Sequence, residues 1–453
     1  MEYKNFLEYI YKRHSPNVKL GLERMYDVLS RLGNPEKKLN GIHIAGTNGK
    51  GSTAAISEIL FLSQGFNTGL NTSPHLVDYT ERFRINGVNI TSEEVMQLYK
   101  AYCSHFDDTE ASFFEITTAL AFQHFVDKKV DTAIFEVGLG GRLDGTNPFN
   151  STVSIITSIS FDHLKTLGNT IEKIAFEKAG IIKSGVPIVI GALPEKALNV
   201  ILKQAVSLNA PYFLFDKDFF VENIRVSAEG TSFDYSFPKY DIKLKNLKLN
   251  LLGNHQAHNA ALALTGFFIY LDLTSTLTKN VNNKSFLEYP DRDNRFVEVG
   301  GKDTIKKALL KINWQGRLQI LSQKPLVVID GAHNEEGVST LIKNIKEIFP
   351  HFKYHFLVAI LRDKKLDKMI REICSIAKTI YISKNHSDRA ADIQDQVDVA
   401  IACGTKYFAD DDLIESLKKC LSTVKNDDEM IVITGSLYTI AEILKVKQQF
   451  FDN

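Results

Sequence analysis

The stretch Ile42-His43-Ile44-Ala45-Gly46-Thr47-Asn48-Gly49-Lys50-Gly51-Ser52-Thr53 decides the fold class. Residues 42–45 read as a buried strand, the glycines at 46, 49 and 51 as a turn, and the chain from Thr53 onward as a helix. Strand, glycine-rich turn and helix in that order form one βα unit of a parallel sheet. Glycines let backbone N–H groups approach a phosphate, the helix N-terminus adds partial positive charge, and Lys50 adds a full one. The spacing departs from GxxxxGK[ST], because only three residues separate Gly46 from Lys50 and Gly51 stands before Ser52. The alternative reading is a glycine-rich βα turn followed by a surface lysine.

The same alternation extends along the chain. Runs at 68–71, 132–137, 153–158 and 187–190 read as further strands separated by helical segments. From 213 to 252 short alternating strands with turn residues predict an antiparallel appendage on the first domain. Residues 254–271 read as a helix. The segment 273–312, which includes the polar stretch 280–303, is rich in Asn, Asp, Lys and Thr with weak periodicity and reads as a boundary. A second βα series at 325–329, 354–360, 379–383 and 430–434 predicts a smaller doubly wound domain, so the domains are expected at 1–312 and 313–453.

Composition bounds the function. The chain has 453 residues, 44% hydrophobic and 24% charged, which excludes a disordered, collagen-like or fibrous protein. Fifty-four basic residues balance fifty-four acidic ones, leaving no net field to attract nucleic acid or an anionic membrane. Cys103, Cys374, Cys403 and Cys420 form no CxxC pair, so reduced thiols are expected rather than a zinc site or disulfides. The N-terminal MEYKNFLEYIYKRHSP carries charges where an export signal needs an apolar run. The longest apolar run, AALALTGFFIYL from Ala260, is about 12 residues, too short to span a bilayer. A cytoplasmic protein is expected, with a monomer as the default and no nucleic-acid or membrane partner.

Other polar residues fall at the carboxyl ends of predicted strands: Ser73 in TSPHL, Glu136 in FEVGLGG, and Asp162 with His163 in SISFDHL. Ligands of open α/β sheets bind outside those ends, so these residues converge where Gly46 points. A carboxylate after the apolar run 132–135 is costly to bury without a cation, and Mg²⁺ suits a carboxylate and a serine hydroxyl shared with phosphates. His163 reads equally as a ligand or as a hydrogen-bonded cap. Over 171–182, Ile171, Ile174, Ala175 and Ile182 share one helix face with Lys178. Lys178 either snorkels or is held near neutrality for chemistry. In the second domain Asp330 and His333 of DGAHN lie on a strand's ligand-facing rim, with Arg317 on the connection upstream. Asp330 suits a ribose hydroxyl and Arg317 a phosphate across the cleft, or Asp330 caps the next helix and Arg317 is solvated.

In order, HIAGTNGKGS, TSPHL, YTERFRING, FFEITT, EVGLGGRLDGTN, SFDHLKTLGNTIEKIAFEKAGIIK, GNHQAHNAALAL, WQGRLQ, DGAHN and ITGSLY resemble the folylpolyglutamate synthase and dihydrofolate synthase family of the Mur ligase superfamily. The resemblance implies a large P-loop ATPase domain, a smaller Rossmann-like C-terminal domain, and ATP-dependent ligation of L-glutamate to dihydropteroate or reduced folates. It implies ATP phosphates on Asn48, Gly49, Lys50, Gly51 and Ser52, and further nucleotide contacts from Asn259, Arg317, Asp330 and His333. It implies Mg²⁺ on Ser73, Glu136 and His163, with Ser52 as a further ligand, and a carbamate on Lys178. Lys50, Lys178 and His163 would be catalytic. His75 of TSPHL, Phe113, Phe114 and Asp144 would contact the pterin or pteroate. The rivals are another Mur-type amino-acid ligase and a catalytically inactive P-loop nucleotide-binding paralogue.

Overall fold

The computed structural model describes residues 2–13, 21–274, 287–290, 296–299 and 301–451. Its largest sheet is built from β1 (Gly41–Ala45), β2 (Thr68–Asn71), β3 (Phe83–Ile85), β4 (Val88–Asn89), β5 (Thr132–Glu136), β6 (Val153–Ile156), β7 (Ile188–Ile190) and β8 (Tyr212–Leu214). Their order is β4-β3-β2-β5-β1-β6-β7-β8, and all pairings are parallel except those of the β3–β4 hairpin and its contact with β2. The strand β1 is buried along its whole length because helices cover both faces. Ile42 and Ile44 pack with Phe61 and Phe267, whose rings lie 5.2 Å apart between centroids, under the helices Lys50–Ser63 and Asn254–Thr274. On the opposite face Phe135 meets Phe122 at 4.4 Å and Phe149 at 4.9 Å. Each such ring contributes about 1.5–3 kcal/mol by leaving water.

The antiparallel appendage is a three-stranded sheet of β9 (Phe220–Ser227), β10 (Gly230–Phe237) and β11 (Ile242–Leu249). It starts later than 213, because Tyr212–Leu214 continues the parallel sheet as β8. The strand at 153 ends at Ile156 rather than 158, since Thr157 and Ser158 turn their hydroxyls onto the glycine-rich loop. The helix carrying Lys178 stops at Ala179, so Ile182 lies beyond it although still buried. Within the expected boundary segment a hairpin pairs β12 (Leu287–Pro290) with β13 (Phe296–Val299), and Lys302–Leu309 is a helix burying Ile305 and Leu309 against the first core. Much of the polar stretch 280–303 lies outside the described residues.

A second sheet combines β14 (Gln319–Gln323), β15 (Leu326–Ile329), β16 (Lys353–Val358), β17 (Ala377–Ile382), β18 (Tyr407–Ala409) and β19 (Glu429–Thr434) in the order β14-β15-β19-β16-β17-β18. All its pairs are parallel except β14 with β15. Among the described residues no helix is long and apolar enough to cross a membrane.

Candidate active site

The carboxyl ends of β1, β2, β5 and β6 open onto one cavity of about 430 Å³, whose opposite wall is the carboxyl end of β15. Gly46 leaves β1 with φ +155°, and a Cβ there would sit 1.8 Å from the Thr157 hydroxyl oxygen. Gly49 is left-handed, with φ +87°, and a Cβ would meet Asn259 Oδ1 at 2.4 Å. That turn starts the helix at Lys50, three residues before Thr53 where the sequence reading began it. Gly49 has no side chain to cap the first turn, so its N–H groups remain available to an anion. The loop is held to the end of β6, with Asn48 N–H donating to Ser158 Oγ at 2.9 Å and Thr157 Oγ1 donating to Asn48 O at 2.6 Å.

Two lysines share one acceptor. Lys50 Nζ donates to Gly46 O at 3.0 Å and to Thr47 O at 3.1 Å, and Lys178 Nζ donates to Gly46 O at 2.8 Å. Lys178 is only 4% exposed. Burial, reinforced by Lys50, lowers its pKa to about 7, and burial also lowers that of Lys50. The snorkelling reading is thereby ruled out: the amine points inward.

Glu136 ends β5 inside the cavity, where burial raises its carboxyl pKa against the opposing charge of Lys50. Its Oε2 accepts from Ser73 N–H at 3.1 Å, while the buried Ser73 Oγ has no hydrogen-bond partner among the described residues. His163 occupies a left-handed position, φ 49°, and burial in the cleft lowers its pKa to about 4, so the imidazole is neutral at neutral pH. Among the described residues no three His, Cys, Asp or Glu side chains gather tightly enough to hold a metal unaided. A carboxylate beside an unpartnered hydroxyl and a neutral imidazole nevertheless fits a cation that completes its shell with phosphate oxygens and water. Ser52 lines the same cavity.

From the second sheet, Asp330 follows β15 and accepts from Leu318 N–H and Ala332 N–H, each at 2.8 Å. It does not cap the next helix: Asn334 does, accepting from Gly337 N–H at 2.8 Å. Arg317 is half-buried and lines the cavity, as do Asn259 and His333. Asp162 joins the two halves. It accepts from Lys364 Nζ at 2.5 Å and Asn334 Nδ2 at 3.2 Å, with His333 Nε2 at 3.6 Å. Asn48 Nδ2 donates to Glu336 at 2.6 Å, so in this arrangement its side chain ties the glycine-rich loop to the second sheet's first helix. Lys364 and Glu336 were missed from sequence because their partners lie 202 and 288 residues away.

A second cavity of about 670 Å³ adjoins the first and shares Ser73, His163 and His333 with it. Phe113, Phe114 and Asp144 line it, together with Arg82, Arg389 and Tyr438. His75 lies elsewhere. It accepts from Arg82 Nε at 2.8 Å and lines a third cavity beside Leu76, Arg84 and Trp314.

Residues 44–266 match the Mur ligase middle domain and residues 316–437 the Mur ligase, glutamate ligase domain. The dihydrofolate synthase/folylpolyglutamate synthase of Bacillus subtilis is 36% identical over 451 residues, covering 98% of each chain. The folylpolyglutamate synthase of Mycobacterium tuberculosis, solved with ADP and AMPPCP, superposes with a TM-score of 0.86 at 28% identity over 98% of each chain. A solved FPGS–AMPPCP–folate complex gives a TM-score of 0.82 at 30% identity over 99% of this chain and 100% of its own.

Proposed function

The chain belongs to the dihydrofolate synthase/folylpolyglutamate synthase family of Mur-type ATP-dependent ligases, and from that premise we propose that it joins L-glutamate to dihydropteroate, to reduced folates, or to both. The observation that carries this reading is the meeting of two cavities, one ending in a phosphate-type loop and the other lined by aromatic rings and cations, at Ser73, His163 and His333. A carboxylate lying at that junction is within the reach of a terminal phosphate held by the loop.

A carboxylate is a poor electrophile until one oxygen becomes a leaving group. The loop 48–52 binds the ATP phosphates through the backbone N–H groups of Gly49, Lys50, Gly51 and Ser52, with Asn48 lining the same cavity, and Asn259, Arg317, Asp330 and His333 hold the rest of the nucleotide. The bond between the terminal phosphorus and ADP breaks as the substrate carboxylate takes that phosphoryl group, giving an acyl phosphate. Lys50 and Arg317 offset the charge that moves in this step. The glutamate amine then attacks the acyl carbon, and the tetrahedral adduct collapses to an amide with release of phosphate. Ser73, Glu136 and His163, with Ser52, would hold Mg²⁺, which when bound neutralises phosphate charge. Lys178 is available to add CO₂ as a neutral amine, forming a carbamate and releasing a proton, which places an anion beside the cluster where the protonated lysine would place a cation. Asp162, Lys364, Asn48 and Glu336 hold the halves together and exclude water while the acyl phosphate awaits the amine. Residues 1–312 would form the ATP- and folate-binding domain and residues 313–453 the Rossmann-like glutamate ligase domain, which closes the nucleotide cleft with Arg317, Asp330 and His333, in a cytoplasmic monomer.

The test is ADP release with dihydropteroate, tetrahydrofolate and a muramyl nucleotide in turn, each with and without L-glutamate. Glutamate-dependent release with either pterin compound and none with the muramyl nucleotide is expected. Turnover with the muramyl nucleotide alone contradicts the assignment, and no turnover with any acceptor returns the chain to an inactive nucleotide binder.

A further inference from the structure

We propose that His43 and Thr146 are positioning residues that fix the Asp144 carboxylate as an ionised acceptor on the wall of the second cavity, facing a flat ring that offers N–H donors. The proposal rests on the reading of Asp144 as a substrate contact.

Asp144 is 5% exposed and lines that cavity. Its Oδ1 accepts from Thr146 N–H at 3.0 Å and Thr146 Oγ1 at 2.6 Å, and its Oδ2 accepts from Leu139 N–H at 2.7 Å. Neutral N–H and O–H groups therefore hold the carboxylate, and burial raises its pKa against them. Phe114 flanks it so closely that a Cβ on Gly138 would lie 2.5 Å from the ring and one on Gly145 3.3 Å. An aromatic face beside a carboxylate suits a planar heterocycle that stacks on one and donates to the other.

Behind Asp144 the hydrogen bonds run in one direction. An ionised carboxylate can only accept, so the Thr146 hydroxyl gives its single proton to Oδ1. His43 Nε2 lies 2.8 Å from the same hydroxyl oxygen and must then donate to it, leaving Nδ1 bare. That nitrogen is buried without a hydrogen-bond partner among the described residues, and the ring meets Phe149 edge to face at 6.0 Å. Protonation would bury a second N–H with no acceptor, and burial with Lys183 nearby lowers the His43 pKa to about 3. His43 is thus a neutral donor of fixed tautomer. It keeps Thr146 from turning its proton away and holds Asp144 in its acceptor state before a ligand arrives.

The experiment is steady-state kinetics with dihydropteroate varied at saturating ATP and L-glutamate. Thr146→Val and His43→Leu are each expected to raise KM for dihydropteroate about tenfold, with kcat and KM for ATP within about twofold of wild type. Thr146→Ser and His43→Gln, which keep the donor, should return KM to within about twofold of wild type. Asp144→Asn separates the two readings. If it raises KM while Thr146→Val and His43→Leu do not, the positioning role falls and Asp144 stands. If it leaves KM unchanged, the assignment of Asp144 falls and the proposal with it. Nitrogen NMR of the wild-type protein needs no variant to fold: His43 protonated on Nε2 agrees with the chain, and protonation on Nδ1 overturns it.

Discussion

Lys178 carries the clearest quantitative consequence of this geometry. A lysine at its ordinary pKa of 10.5 is neutral at pH 7 in roughly one molecule in three thousand, whereas one lowered to about 7 is neutral in about half. The same shift is a stability term. Between pH 7 and 10.5 the unfolded chain holds a proton that the native site does not, so wild-type stability rises with pH across that window. The cost of the buried ammonium is complete below pH 7. The fall from 10.5 to about 7 sets that cost at no more than roughly 5 kcal/mol. In Lys178→Met an apolar chain of similar length removes the cost and loses the hydrogen bond to Gly46 O, worth about 1 kcal/mol. The variant is therefore expected to be more stable than wild type by roughly 3–4 kcal/mol at pH 6, with the gain fading toward zero near pH 10. Urea unfolding of both proteins in CO₂-free buffer at several pH values reads the difference. Turnover should fall about a hundredfold or more, because neither an amine nor its carbamate remains beside the metal-binding groups. A gain over wild type no larger at pH 6 than at pH 9, with turnover intact, would show that burial does not penalise the Lys178 ammonium.

Arg317→Ala should lower turnover at saturating ATP about tenfold or more with the melting temperature unchanged, since the guanidinium faces the cavity rather than either core; unchanged turnover removes its role. Glu136→Gln keeps the shape and discards the charge, so Mg²⁺ half-saturation should rise about tenfold; an unaltered Mg²⁺ titration shows that Glu136 is not a ligand. Lys364→Met removes the close cation from the Asp162 carboxylate, whose side chain and partner are 8% and 5% exposed, and should destabilise the protein by about 3 kcal/mol in urea unfolding. A loss below about 0.5 kcal/mol would show that this pair does not join the halves.

The parts of the fold that sequence made legible are those whose signal is local. The unit from Ile42 to the helix Lys50–Ser63, the strand ends carrying Glu136 and Asp330, and the inward face bearing Lys178 each follow from short-range periodicity. Short edge strands escaped that signal: Val88–Asn89 has both residues exposed, and Gln319–Gln323 is mostly polar. The helix Lys302–Leu309 hid in a polar segment because only Ile305, Ala308 and Leu309 of its eight residues are buried. His75 shared a motif with Ser73, but the turn at Ser73–Pro74 sends the two side chains to different cavities. Asp162 with Lys364, and Asn48 with Glu336, are pairings that only the folded arrangement creates. The link from His43 through Thr146 to Asp144 spans 103 residues and likewise has no local signature.

The chemistry turns on activation of a substrate carboxylate as an acyl phosphate in the cleft between the two sheets. Dihydropteroate labelled with heavy oxygen in its carboxylate, turned over with ATP and L-glutamate, tests it by mass analysis of the inorganic phosphate released. One labelled oxygen in each phosphate is the result predicted, because the oxygen that takes the phosphoryl group leaves with it. Unlabelled phosphate from a complete turnover would rule out an acyl phosphate.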